Sequence, residues 1–144
     1  MQDFVPPRYR DPILRAAARW NVSAGLLAAQ LMAESNFNPF AVSGAGAQGI
    51  AQFIPATARA YGLRNPFDAP AAIDAQAHLM SDLLRQFGSV SLALAAYNAG
   101  AGAVAACHCV PQIPETQAYV ARILGLMGGA GEVPAPTLEV RLVD

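Results

Sequence analysis

Residues 34–58 read ESNFNPFAVSGAGAQGIAQFIPATA. Glu34 is the one acidic residue between Pro12 and Phe67. It closes an apolar segment, LLAAQLMAES (26–35), whose spacing predicts a helix with Leu27, Leu31 and Glu34 on one side. A carboxyl set against an apolar helix, far from bases, is held toward its neutral form, because desolvation disfavours the charge. A general acid working near neutral pH has that property. Behind Glu34 the chain is neutral. Glycines at 44, 46 and 49 let backbone approach a ligand closely, Ser43, Gln48 and Gln52 offer uncharged hydrogen-bonding groups, and Phe53 and Ile54 offer an apolar wall. Neutral amides, hydroxyls and aromatics suit uncharged, N-acetylated sugars. Taken singly, the same residues also fit a solvated helix-end glutamate and a tight turn at a helix–helix contact.

Outward from this stretch the chain reads as helices. Asp11-Pro12 opens the first, with Ile13, Leu14, Ala17 and Ala18 as its stripe, ending near Trp20-Asn21. Ser23 caps the second, which Asn38-Pro39 ends. Residues 43–49 form a loop, and short helical pieces follow at 49–53 and 55–61. Residues 68–87 form the longest helix, with Ile73, Ala77, Met80, Leu84 and Phe87 buried and Gly88 closing it. Ser91 caps a helix through Tyr97, Gly100 and Gly102 interrupt, and helix resumes at 103–107. Thr116 caps the last, which carries Val120, Ile123, Leu124 and Met127. Strand signals are nearly absent, so the fold class is all-α, with little or no β-structure, in a single domain over residues 1–127. Residues 128–144 read as a linker or tail, GGAGEVPAPT and then an alternating TLEVRLVD that suits a short strand or the start of a further domain.

Composition narrows the function. The chain has 144 residues, 54% of them hydrophobic and 13% charged, which excludes a disordered chain. The net charge of −1 argues against nucleic acid as a partner bound by bulk electrostatics. All nine basic residues are Arg, so no lysine-based mechanism is available. Mean hydropathy is +0.31, yet the longest uncharged run, 86–114, contains His108, two prolines and several glycines and does not make a membrane span. The N-terminus lacks the apolar core of a signal peptide. Cys107-His108-Cys109 cannot wrap one metal ion well, and no metal or cofactor is called for. A disulfide between these cysteines is sterically possible but closes a loop too small to add much stability, and the pair reads as two thiols. His78 reads as a partly buried helix residue. Arg8, Arg10, Arg15 and Arg19 make a solvated face or a contact to an anionic polymer.

Five blocks now stand in order: Glu34-Ser35, AVSGAGAQGIAQF (41–53), PATA (55–58), ALAAYNAG (93–100) and IPET-x-x-YV (113–120). In this order and spacing they resemble the soluble lytic transglycosylase domain of the goose-type lysozyme superfamily, over roughly residues 12–125. The resemblance implies a lysozyme-like all-α domain with a substrate cleft between the Glu34 helix end and the Tyr97 region. It implies that Glu34 is the catalytic acid and base, and that Ser43 helps hold the N-acetyl group and the reactive oxygens. Gln48, Gln52 and Ile54 would line the cleft. Tyr97 and Asn98 belong to the block whose tyrosine points at the catalytic centre, with Glu34 or substrate as the expected partner of its hydroxyl. Glu115 and Tyr119 belong to the late block, whose glutamate orients substrate or structure. Ala51 stands where the family often has Met, and AVAACHCVPQ (103–112) has no family-typical counterpart.

The implied reaction is cleavage of the β-1,4 bond between N-acetylmuramic acid and N-acetylglucosamine in peptidoglycan, leaving 1,6-anhydro ends, with one catalytic Glu and assistance from the substrate. The partner is the peptidoglycan glycan strand and the protein reads as a monomer. Its place is the cell wall, extracellular or virion-associated. Two rivals share the blocks: a hydrolytic muramidase in which Asp68 or another acid positions water, and a non-catalytic wall-binding module.

Overall fold

The computed structural model describes residues 2–129. They form seven α-helices: α1 (Pro7–Trp20), α2 (Ala24–Ser35), α3 (Pro55–Ala60), α4 (Ala69–Phe87), α5 (Val90–Ala99), α6 (Ala101–Cys107) and α7 (Pro114–Gly129). Among the described residues the only β-pairing is two isolated bridges, Val42 with Gln48 and Gln48 with Phe53. The strand considered for 137–144 lies outside the described residues.

Each helix end has a local cause. The Ser23 side chain accepts the Leu26 N–H at 3.1 Å and starts α2, and Asp68 does the same for α4 with the Ala71 N–H. Gly88, left-handed at φ 70°, ends α4. Four boundaries differ from the sequence expectation. Helix α1 begins at Pro7, whose fixed φ suits a first turn, and Pro12 lies inside it. Helix α2 stops at Ser35, because Asn36 and Phe37 are both left-handed. Ser89, not Ser91, caps α5, accepting the Leu92 N–H. Thr116 does not cap α7. It is buried, and its hydroxyl donates to Asn98 Oδ1 at 2.8 Å.

Helix α2 is the centre of the packing. Every residue from Leu26 to Leu31 is buried, and α1, α4 and α7 surround it. A helix this apolar, with Gln30 the one polar side chain in that run, has no other stable place. Helix α4 runs against α1 and α5, and α5 also meets α6 and α7. Ile13, Leu27, Leu31, Ile73, Met80, Leu94 and Ile123 fill the core with Ile50 from the loop. Ala28, Ala29, Ala72, Ala77, Ala93 and Ala95 are fully buried as well, so the alanine content serves close helix approach. Leu14 and Leu124, expected in buried stripes, are exposed. His78 of α4 stacks on Trp20 of α1, with ring centroids 3.8 Å apart, as a part-buried helix residue. Arg19 pairs with Asp74 across the same helices at 3.1 Å. Cys107 and Cys109 are joined as a disulfide across left-handed His108, where the sequence reads as two thiols.

Between α2 and α3, residues 36–54 form an irregular loop. The helical piece expected at 49–53 does not form, because Gly49 (φ 83°) and Gln52 (φ 56°) are left-handed and the Gln48 backbone pairs with Phe53 through bonds of 2.9 and 3.0 Å. Gly49 also packs tightly on the chain around Pro66: a Cβ built there would run into the Pro66 carbonyl. Gly49→Ala is therefore expected to destabilise the fold by about 2–4 kcal/mol, combining left-handed strain with the clash. Gly44→Ala, where a Cβ meets nothing within 4 Å, should change stability by less than about 0.5 kcal/mol. Urea denaturation of the two variants checks the contrast.

Candidate active site

Glu34 sits in the last turn of α2, where the buried helix reaches the irregular loop. Ser35, the final helical residue, donates its hydroxyl to the Ile50 carbonyl at 2.7 Å and accepts the Asn38 N–H at 3.2 Å. The loop is thereby pinned to the helix end that carries the acid. Its own polar groups tighten it further. Ser43 Oγ accepts the Ala47 N–H at 3.0 Å, and the Ser43 N–H bonds the Ala47 carbonyl. Gln52 Nε2 donates to the carbonyls of Gly49 at 2.9 Å and Ala41 at 3.2 Å. Ser43 and Gln52 thus hold the loop, whatever else they do. Gln48 is half-buried and anchored through its backbone. Of the expected apolar wall, Ile54 is exposed but Phe53 is core, set edge-on to Tyr97. The exposed apolar residues sharing the loop with Ile54 are Phe40 and Val42, which the sequence reading did not single out.

The Glu34 carboxyl meets α7. Tyr119 donates its hydroxyl to Glu34 Oε2 at 2.7 Å. Burial pushes the Glu34 carboxyl up from 4.5 to about 7; the Tyr119 bond pulls it back and the negative charge of Glu115 pushes it further up. Burial, and then the charge of Glu34, raises both Tyr119 and Tyr97 well above 10, so both phenols stay protonated. Tyr97 does not take the role expected for its hydroxyl: it donates to the Ala51 carbonyl at 2.9 Å and supports the loop from behind. The phenol on Glu34 belongs to Tyr119. Its oxygen in turn accepts from Gln30 Nε2 at 3.0 Å. Gln30 was not singled out from the sequence, although it stands one helical turn before Glu34 and so on the same face.

Helices α5 and α7 close this region. Asn98 accepts from Thr116 and donates to Glu115 Oε2 at 3.4 Å, so Asn98 and Glu115 link the end of α5 to the exposed first turn of α7. Asp68, the acid considered for positioning water, spends a carboxyl oxygen on capping α4. The structure therefore brings together Glu34, Tyr119 and Gln30, with Tyr97, Asn98 and Glu115 behind and beside them. Ser43, Gln48, Gln52 and Ile54 stand on the adjoining loop. A carboxyl that titrates near 7 is half protonated at neutral pH, and so is available both to give and to take a proton.

Comparison with known proteins is consistent across three kinds of match. Residues 11–111 match the family model described as the transglycosylase SLT domain. A transglycosylase of Enterobacteria phage PRD1 is 32% identical over 138 residues, which cover 93% of this chain and 50% of that protein. Membrane-bound lytic murein transglycosylase D of Escherichia coli K12 is 36% identical over 113 residues, covering 65% of this chain and 25% of that protein. Among solved structures, an inactive mutant of the lytic transglycosylase Slt from Pseudomonas aeruginosa superposes with a TM-score of 0.76 at 28% identity, covering 88% of this chain and 24% of that one. The chain spans half the length of the phage relative and about a quarter of the bacterial ones.

The raised Glu34 carboxyl has a thermodynamic signature. Its folded-state value lies above its unfolded one, so the folded state holds the extra proton between about pH 4.5 and pH 7, and stability falls as pH rises through that window. At full ionisation the cost is about 3 kcal/mol. Glu34→Gln carries no ionisable group there. It is expected to unfold several degrees above the wild type at about pH 8 and close to the wild type near pH 4.5. Calorimetry at the two pH values checks this.

Proposed function

The chain belongs to the transglycosylase SLT family, and on that footing we propose that it is a peptidoglycan lytic transglycosylase with Glu34 as its single acid and base. The observation that carries the reading is the Glu34 carboxyl itself, part-buried at a helix end, pushed up to about 7 by desolvation and held by one phenol. The relatives named lytic murein transglycosylases and the phage transglycosylase support the reaction class.

Protonated Glu34 gives its proton to the oxygen of the β-1,4 bond between N-acetylmuramic acid and N-acetylglucosamine. That bond breaks and the N-acetylglucosamine side leaves as an alcohol. The acetamido oxygen of the muramoyl residue shares the positive charge that develops at C1. Glu34, now a carboxylate, takes the proton of the muramoyl 6-hydroxyl as that oxygen closes onto C1 and displaces the acetamido oxygen. The product is a 1,6-anhydro end, and the enzyme returns to its protonated state without consuming water. Most glycosidases divide this work between two carboxylates. One carboxyl near 7 serves both steps, because neither protonation state is far from reach.

The rest of the site takes supporting parts in this reading. Ser43, Gln48, Gln52 and Ile54 line the cleft beside the reacting sugars, Tyr97 backs that wall through the Ala51 carbonyl, Asn98 joins Glu115 at the end of α5, and Glu115 with Tyr119 orients groups around Glu34. No cofactor takes part. The partner is the glycan strand, met by a monomer at the cell wall as a secreted or virion-borne domain. No helix among the described residues is long and apolar enough to cross a membrane.

Hydrolysis is the reading to separate from this one, and the product decides. Mass spectrometry of digested peptidoglycan is expected to show 1,6-anhydro ends, whereas reducing ends would identify a muramidase. Glu34→Gln is expected to reduce wall cleavage by about 10²–10⁴-fold or more, since a side chain without a transferable proton replaces the sole acid. Residual cleavage above a tenth of the wild-type rate would remove Glu34 from its role.

A further inference from the structure

We infer that Gln30 and Gln76 are positioning residues that fix which oxygen of the Glu34 carboxyl carries the transferable proton. The inference rests on Glu34 being the acid, and it concerns a chain of hydrogen bonds running from the core to that acid. Gln76 of α4 and Gln30 of α2 are both completely buried. Gln76 Nε2 donates to the Leu27 carbonyl at 3.3 Å and to Gln30 Oε1 at 2.8 Å. Gln30 Nε2 donates to the Tyr119 oxygen at 3.0 Å, with the Met80 sulfur at 3.6 Å as a second acceptor. Tyr119 donates to Glu34 Oε2 at 2.7 Å.

The direction of this chain is set at its inner end. The Leu27 carbonyl only accepts, so Gln76 must face it with its amide nitrogen. Gln30 must then present its oxygen to Gln76 and its nitrogen to Tyr119. The phenol oxygen accepts, and its hydrogen has one remaining target, Glu34 Oε2. A proton on Oε2 would turn that oxygen from a carbonyl into a hydroxyl, a weaker acceptor for the Tyr119 hydrogen. Letting Oε2 donate instead would require Tyr119 to turn toward Gln30, Gln30 to reverse its amide, and Gln76 to set an oxygen against the Leu27 carbonyl. The arrangement therefore favours the proton on Oε1, the oxygen Tyr119 leaves free. Gln76 Oε1 is buried without a partner among the described residues. Interiors rarely tolerate such an atom, and its presence marks an amide held by direction rather than by full satisfaction. The titratable groups around Glu34 are Tyr119 and Glu115 of α7 and Tyr97 of α5; both glutamines act through the first of them.

The test measures kcat, KM and pH profiles on peptidoglycan for Gln30→Met, Gln76→Met, Tyr119→Phe and the Gln30→Met/Tyr119→Phe pair. Met matches Gln in length and suits an apolar core. Gln30→Met is expected to lower kcat roughly 3–10-fold, the worth of one hydrogen bond, with KM unchanged within about twofold. The alkaline limb of kcat/KM should move to higher pH, because a loosened Tyr119 bond stabilises the Glu34 carboxylate less and the carboxyl keeps its proton to higher pH. In the Tyr119→Phe background, Gln30→Met should cost nothing further. Independent losses in the double variant, or wild-type kcat with an unmoved alkaline limb, would overturn the inference. If the Met variants do not fold, nuclear magnetic resonance of the wild type decides. The Gln30 side-chain amide signals are expected to shift with the Glu34 midpoint, and flat signals through that midpoint overturn the chain. This titration reads the chain whether or not Glu34 is the acid, whereas an active Glu34→Gln variant would defeat the functional reading alone.

Discussion

The burial of α2 on every side is the constraint from which the rest follows. A helix whose residues 26–31 are buried on every side, with Gln30 the one polar side chain among them, has to be enclosed, and α1, α4 and α7 enclose it. Enclosure leaves one place where its chain end meets both the core and the loop, and Glu34 occupies that place. Had α2 been a surface helix, its terminal glutamate would face water and titrate as an ordinary carboxyl. The packing that stabilises the fold is thus also what holds the carboxyl near neutrality, through the desolvation that dominates its shift.

Much of this was legible in the sequence because it is written locally. Ser23 and Gly88 mark helix ends by capping chemistry, which acts within a few residues, and the structure uses both. Glu34 stood out because charge is absent around it over a long stretch. What was not legible depends on distant partners. Tyr97 and Tyr119 both sit in recognisable blocks, but which hydroxyl reaches Glu34 is decided by how α7 lies against α2, 85 residues along the chain. Gln30 hid inside an apolar run, where its spacing from Glu34 carries no meaning until Tyr119 is seen between them. Ile50-Ala51-Gln52 has helical composition, yet the backbone pairing of Gln48 with Val42 and Phe53 overrides it. Ser89 and Ser91 are equally good caps by residue type, and the end of α4 at Gly88 selects the nearer one.

The loop at 36–54 carries an unusual share of left-handed backbone: Asn36, Phe37, Gly46, Gly49 and Gln52. Such residues persist only where the surroundings over-determine them. Here the determinants are visible as Ser35 on Ile50, Gln52 on Ala41 and Gly49, Tyr97 on Ala51, and Gly49 against Pro66. The consequence is a loop whose amides and hydroxyls are partly spent on itself, and whose outward face includes Phe40, Val42 and Ile54. For a sugar ligand this is a pre-set wall rather than a flexible one. Its ordering cost is met at folding, so binding need not meet it again.

A single carboxyl that must first give and then take a proton is best held between extremes. Burial alone would lift Glu34 so far that the carboxyl would give up its proton reluctantly in the acid step. A second hydrogen bond to the carboxylate would pull it back toward the ordinary range, where little acid is present at neutral pH. One phenol offsets part of the desolvation and leaves the group at about 7. In the proposed reaction that phenol keeps its hydrogen on the carboxyl in both halves, and a hydroxyl is free to rotate unless something accepts no other arrangement. The two buried glutamines, anchored on the Leu27 carbonyl, are the groups inferred to provide that restraint, from inside the core.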